Sequence, residues 1–171
     1  DRYLHPSSIT GIDISKDAIE LCLKVYSIPN LDFIVGDSES IPFADNSYDI
    51  LINVESSHCY GDMKKFLSES YRVLKPGGFF LFCDFRTKNS IQELYDLFSS
   101  SDLQFIDRVD ITDNIVSGLD SLSSYREQHI DESVPLYFRK IFKTYAGIKG
   151  TEIYNAFSSG SMTYICAVLK K

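Results

Sequence analysis

Tryptophan is absent from this 171-residue chain, methionine occurs twice and cysteine four times. The cysteines, Cys22, Cys59, Cys83 and Cys166, stand far apart and form no C-x-x-C or Cys/His ligand spacing. That excludes zinc-ribbon and thioredoxin-type readings. Cys22, Cys83 and Cys166 lie inside apolar runs, as small core residues do, and the pattern suits the reducing cytoplasm. No apolar run approaches the roughly 20 residues that span a bilayer, and nothing at the start reads as a signal peptide. Internal repeats are lacking. Positive charge is scarce: 17 Lys and Arg against 24 Asp and Glu leave a net −7. This argues against a nucleic-acid surface and against a polybasic membrane patch. What the chain has in plenty is Phe and Tyr, 12 and 11 residues, enough large side chains for one well-filled core. The length suits a single domain.

Along the chain, Ser8–Ile14 (S-I-T-G-I-D-I) reads as a strand ending at an acid. A helix comes next, with Ser15 able to cap its first turn and Asp17 suited to its positive end. It runs through Ile19, Leu21, Leu23 and Tyr26 to the break at Pro29-Asn30. Leu31–Val35 and Tyr48–Val54 are further strands. Asp62 caps a helix with Phe66, Leu67, Ser70, Tyr71 and Leu74 on one face, and Lys75-Pro76-Gly77-Gly78 is a turn. Phe79–Asp84 is a strand that is apolar without alternation, typical of a sheet covered on both faces. Ile91–Phe98 forms a helical face, and Leu103–Ile111 and Met162–Leu169 are strands. The alternation predicts an α/β doubly wound, Rossmann-like fold. Between the last two strands, Thr112–Ser159 is too long for a plain loop. It carries helical patterns at Ile115, Val116, Leu119, Leu122 and at Leu136, Tyr137, Ile141, Phe142, Tyr145, and reads as a helical cap over the ligand edge of the sheet.

Three acids stand at strand ends, Asp13, Asp37 and Asp84, where open α/β sheets bind ligands. Singly, each reads equally well as a cap or turn acid. The carboxylate of Asp13 can accept from two ribose hydroxyls, and Asp37 from an adenine amino group, with the Ser38 and Glu39 backbone facing the ring. Together, the words I-T-G-I-D-I-S, F-I-V-G-D-S-E-S-I-P-F-A-D-N-S-Y-D-I and R-V-L-K-P-G-G-F-F-L-F resemble the class I S-adenosylmethionine (SAM) dependent methyltransferases. They do so in family order and at family spacing. The resemblance implies SAM as cofactor, with S-adenosylhomocysteine as its product. It implies Asp13 on the ribose, Ile14 against adenine, Asp37 with Ser38 and Glu39 at the adenine, and Asn53 near the methionine end.

The family's glycine-rich loop should precede Asp13, yet Asp1–Gly11 contains no G-x-G. The expectation is a domain lacking its first strand, to be completed by an N-terminal segment or a homo-oligomer, because strands flanking a gap leave backbone groups unpaired. The segment Asn53–Asp62, with E-S-S-H-C-Y, resembles the subgroup acting on lipids, polyketides and other small natural products, including sterol and phthiotriolone-type methyltransferases. His58 there can serve as general base for a hydroxyl or an acidic carbon, or merely line the pocket. Glu55 can orient His58 or bind substrate. Cys59 is a weak nucleophile candidate with no covalent step to perform. His5 reads as surface, and His129, Tyr125 and Arg126 as a solvated helix face. Tyr137, Phe138, Phe142 and Tyr145 read as packing that can include an apolar pocket wall. No metal site is expected.

The leading expectation is methyl transfer to a small, hydrophobic, lipid-like or natural-product acceptor at oxygen or carbon, with no nucleic-acid partner and no membrane insertion. The alternative is a non-catalytic methyltransferase-like module. A nicotinamide oxidoreductase also places an acid on a ribose, but its G-x-G-x-x-G is missing.

Overall fold

The structure, a computed structural model, describes residues 5–171. Asp1 to Leu4, the start of the stretch in which a glycine-rich loop was expected, lie outside the described residues. The chain opens with β1 (Ile9–Asp13), α1 (Lys16–Val25) and β2 (Leu31–Val35). Ser15 caps α1 by accepting from the Ala18 N–H. β1 and β2 pair in parallel from Ile9–Leu31 to Asp13–Val35, so the two strands end side by side.

The second sheet is built from β3 (Tyr48–Val54), β4 (Leu74–Thr87), β5 (Gln104–Asp110) and β6 (Met162–Lys170), in the order β3-β4-β6-β5. Among the described residues β1 and β3 are each the end strand of their sheet. α2 (Met63–Val73), capped by Asp62 on the Lys65 N–H, precedes β4, and α3 (Ile91–Ser100) comes after it. Both helices cover one face of the sheet. Phe66, Leu67, Leu74, Phe80, Phe82, Leu94, Phe98, Leu103, Ile165, Ala167 and Leu169 form the core there. Edge-to-face rings run through it from Phe66 to Phe80, Phe82 and Phe98 at 5.1–6.0 Å. Arg72 of α2 reaches back to the segment before β3, donating to the Ile41 and Phe43 carbonyls and pairing with Glu69 and Asp45.

The expected turn at Lys75–Gly78 is a bulge inside one long strand. The Tyr48–Leu74 rung is succeeded by Ile50–Phe79, and the extra residues of β4 loop out between them. Both glycines are required. Gly77 has φ +82°, and a Cβ on Gly78 would stand 2.9 Å from the Lys75 carbonyl and 3.0 Å from that of Asp49.

β3 and β4 are parallel, but β6 is antiparallel to both β4 and β5. The insert explains this reversal. Its three helices are α4 (Thr112–Ser133), α5 (Leu136–Tyr145) and α6 (Glu152–Ser158), one more than the hydrophobic pattern suggested. They leave after β5 and return to β6 at the same edge of the sheet. Met162 pairs with Thr87, the last residue of β4, so β6 can only run back along the sheet. The insert therefore starts and finishes at the carboxyl edge, where ligands bind in open α/β sheets. α6 packs against the sheet face opposite α2 and α3, with Phe157 beside Phe85 and Tyr164.

Candidate active site

At the carboxyl edge, Val54 pairs with Cys83, so Glu55 and Asp84 emerge from neighbouring strands. A single 3₁₀ turn, Ser57–Cys59, then folds His58 back over β4. His58 Nδ1 lies 2.8 Å from Asp84 Oδ1. Asp84 has no exposed surface. It also accepts from Ser57 Oγ at 2.6 Å, the His58 N–H at 3.0 Å and the Phe85 N–H at 2.8 Å. Arg86 stands 3.3 Å away and donates to Ser57 Oγ. An ionised carboxylate buried without partners would be unfavourable by several kcal/mol. Burial does push its pKa upward, but the donors Ser57, His58 and Phe85 and the Arg86 charge outweigh it, and the net direction is downward. A carboxylate can only accept, so Nδ1 of His58 is the donor, and the neutral tautomer this selects is the one with its lone pair on Nε2. Nε2 has no protein partner among the described residues, and the ring, 30% exposed, rests on Phe85 at 4.4 Å.

Glu55 does not orient His58, because Asp84 occupies the Nδ1 position. Its Oε1 accepts instead from Tyr164 Oη at 2.7 Å. Burial, then the Glu55 carboxylate, push the Tyr164 phenol well above its ordinary range, so it remains a donor. Glu55 has φ +48°, a conformation that is strained for a residue with a Cβ. It is held there by Tyr164 and by its own N–H on the Cys83 carbonyl at 2.9 Å. Asn53, 6% exposed, donates to Tyr60 Oη, but its buried Oδ1 has no partner. Such an orphan acceptor marks a place where a ligand donor fits.

The remaining predicted residues gather at the ends of β1 and β2. Asp13 Oδ1 accepts from the Ser15 N–H at 2.7 Å, and Asp37 Oδ1 from the Glu39 N–H at 2.8 Å. The second oxygen of each carboxylate carries no hydrogen bond to the described residues. Ile14 is 75% exposed beside them, and Ser38 is half-buried. Glu39 has a structural task, since its Oε1 accepts from the Gly61 and Asp62 N–H groups at the entry to α2. Free acceptors for a ribose and an amine, an apolar side chain for a ring, and the orphan Asn53 oxygen are features that fit SAM. Sequence reasoning singled out Asp84 as a strand-end acid but left it outside the site, and it missed Tyr164 and Arg86. An acid closing the apolar run F-F-L-F-C-D was the signal for the first.

Residues 2–82 match the family described as "Methyltransferase domain". The chain is 35% identical over 163 residues to the phthiotriol/phenolphthiotriol dimycocerosates methyltransferase of Mycobacterium tuberculosis, covering 95% of this chain and 60% of that protein. It is 34% identical over 144 residues to the fatty-acid O-methyltransferase of Mycolicibacterium smegmatis, covering 84% of this chain and 53% of that protein. The chain thus spans about 60% or less of the length of these relatives. Its fold is similar to that of Haemonchus contortus phosphoethanolamine N-methyltransferase 2 in complex with S-adenosyl-L-methionine. The TM-score is 0.78 at 15% identity, over 95% of this chain and 43% of that one.

Proposed function

The chain belongs to the class I SAM-dependent methyltransferases, and on that premise we propose that the protein methylates a small, lipid-like or polyketide-like acceptor at a hydroxyl or an activated carbon. The observation that carries the chemistry is the His58–Asp84 pair, with Nε2 left free at the carboxyl edge. The bound cofactor supplies an electrophilic sulfonium methyl. Asp13 and Asp37 hold its ribose and adenine, Ile14, Ser38 and the Glu39 backbone line the ring, and Asn53 Oδ1 receives a donor at the methionine end.

His58 Nε2 takes the acceptor's proton as the acceptor atom attacks. Asp84 keeps the imidazole in the right tautomer and stabilises the imidazolium that forms. Glu55, fixed by Tyr164, binds a polar group of the acceptor. Much of the rate comes from alignment of donor and acceptor rather than from the base.

The insert Thr112–Ser159 acts as the acceptor lid. Its helix α5 has the character such a role needs. Arg139 and Lys143 turn inward to Asp131 and Glu127 of α4, while Tyr137, Phe138, Ile141, Phe142 and Tyr145 are 52–92% exposed. An apolar wall suits a hydrophobic acceptor. The relatives named for fatty-acid and dimycocerosate methylation support that class. No helix among the described residues is long and apolar enough to cross a membrane, and four free thiols suit a reducing, cytoplasmic setting.

The test is transfer of labelled methyl from SAM by the full-length protein to a lipid extract, to free fatty acids and to hydroxylated polyketides. Label in an organic-soluble product, lost in His58→Ala, is the expected result. SAM binding without transfer to any of these acceptors would overturn the acceptor class, and no SAM binding would overturn the enzyme reading.

A further inference from the structure

Two of the four cysteines meet across the sheet. Cys83 of β4 and Cys166 of β6 are direct partners in the antiparallel ladder. The kind of rung can be read from the ladder's ends. Lys171 donates to the Gly78 carbonyl and Lys88 to that of Ser161, which makes those rungs hydrogen-bonded. Hydrogen-bonded and open rungs alternate. Counting in twos from either end makes Cys83–Cys166 an open rung, where opposed side chains approach most closely. The two Cα atoms of such a rung are about 4.5 Å apart, inside the range of about 4.4–6.8 Å that a disulfide spans. The two side chains of the rung stand on the same face of the sheet, the face that also carries Tyr164. Both cysteines are half-buried. Val109, which faces Cys166 from β5, is 53% exposed, so this side of the sheet is open to small reagents.

We propose that Cys83 and Cys166 form a redox site, a dithiol that closes to a cross-strand disulfide by exchange with a low-molecular-weight disulfide and thereby slows the enzyme. One protein thiolate attacks a sulfur of the small disulfide and expels a small thiolate. The second protein thiolate attacks the resulting mixed disulfide and expels the other. Two protein thiols and one small disulfide become one protein disulfide and two small thiols, so two electrons and two protons leave the protein. Burial, and then the neighbouring thiol, push Cys83 up to about 12, which keeps exchange slow at neutral pH and favours a dithiol at rest.

The rung lies directly beneath the Glu55–Tyr164 pair. The Cys83 carbonyl holds the Glu55 N–H, and Tyr164 sits two residues from Cys166 on the same face. A bond across this rung re-sets the spacing that holds Glu55 in its strained conformation. This coupling rests on the proposed methyl transfer, whereas the thiol chemistry does not.

The test equilibrates the full-length protein with graded ratios of reduced and oxidised glutathione, traps free thiols with N-ethylmaleimide and maps the peptides by mass. The expected product is a Cys83–Cys166 peptide pair lighter by two hydrogens, reversed by dithiothreitol and absent in Cys166→Ser. Complete alkylation of both residues at a ratio where the exposed Cys59 carries glutathione would overturn the site. Turnover measured on the same samples should fall about tenfold or more as the pair closes, the scale of a small misplacement of catalytic groups. Cys166→Ser should keep the turnover of the reduced protein at every ratio. Unchanged turnover on closure would overturn the coupling. Absence of turnover in the reduced protein would instead sink the methyl-transfer reading, with the dithiol result still standing on the peptide masses.

Discussion

Replacing Asp84 with Asn keeps the shape of the side chain and removes its charge, and the hydrogen-bond geometry around it sets the cost. The carboxylate accepts on Oδ1 from His58 Nδ1 and the Phe85 N–H, and on Oδ2 from Ser57 Oγ and the His58 N–H. An amide has one oxygen. If its NH2 group takes the Oδ1 side, it donates to Nδ1, drives the His58 proton onto Nε2 and blocks the base, and the Phe85 N–H is left unpaired. If the NH2 group takes the Oδ2 side, the tautomer survives, but the His58 N–H is unpaired and the imidazolium loses its counter-charge. Either way one buried donor loses its acceptor, about 1–3 kcal/mol, and Arg86, 3.3 Å away, loses its anion. We expect a stability loss of about 2–4 kcal/mol, or about 5–15 °C in Tm. We expect kcat to fall about a hundredfold to ten-thousandfold, the range of a general base. SAM affinity should hold, because Asp13 and Asp37 lie on other strands. Calorimetric titration of SAM, a thermal melt and single-turnover methyl transfer check the three parts. An Asp84→Asn protein that turns over within a few-fold of wild type, when His58→Ala does not, would refute the orienting role. If both variants turn over normally, alignment alone drives the reaction.

Asp13→Ala and Asp37→Ala should each weaken SAM binding about tenfold to a hundredfold, the worth of hydrogen bonds to a charged acceptor, while kcat at saturating SAM changes little. Phe80→Ala, at a fully buried position in the ring chain, should lower the unfolding free energy by about 3–5 kcal/mol in urea denaturation. The folded-state pKa of Asp84 lies below its unfolded value of about 3.9. Its contribution is therefore complete above that value and drains away as pH falls through the folded pKa. Urea midpoints of wild type and Asp84→Asn, measured from neutral pH downward, should stay apart until about pH 4 and converge below it; a gap that persists in acid would show that charge is not its source.

Local signals were legible wherever a few neighbouring residues decide the outcome. The caps Ser15 and Asp62, the strands Leu31–Val35 and Tyr48–Val54 and the strand-end acids Asp13 and Asp37 all stand where the sequence places them, because a cap or a short apolar run is a contest among residues within a turn of one another. The words around Asp13, Asp37 and Lys75–Gly78 carried the family in the same way. The helix α6 escaped because seven residues hold too few apolar positions to display a period. The antiparallel course of β6, the bulge within β4, the Asp84–His58 pair and the Tyr164–Glu55 bond were decided by tertiary structure. Their partners lie 26 residues apart for Asp84 and His58 and 109 for Tyr164 and Glu55. Only strand order and register bring such distant residues together, and those are set by how the apolar faces pack rather than by any run of neighbouring residues.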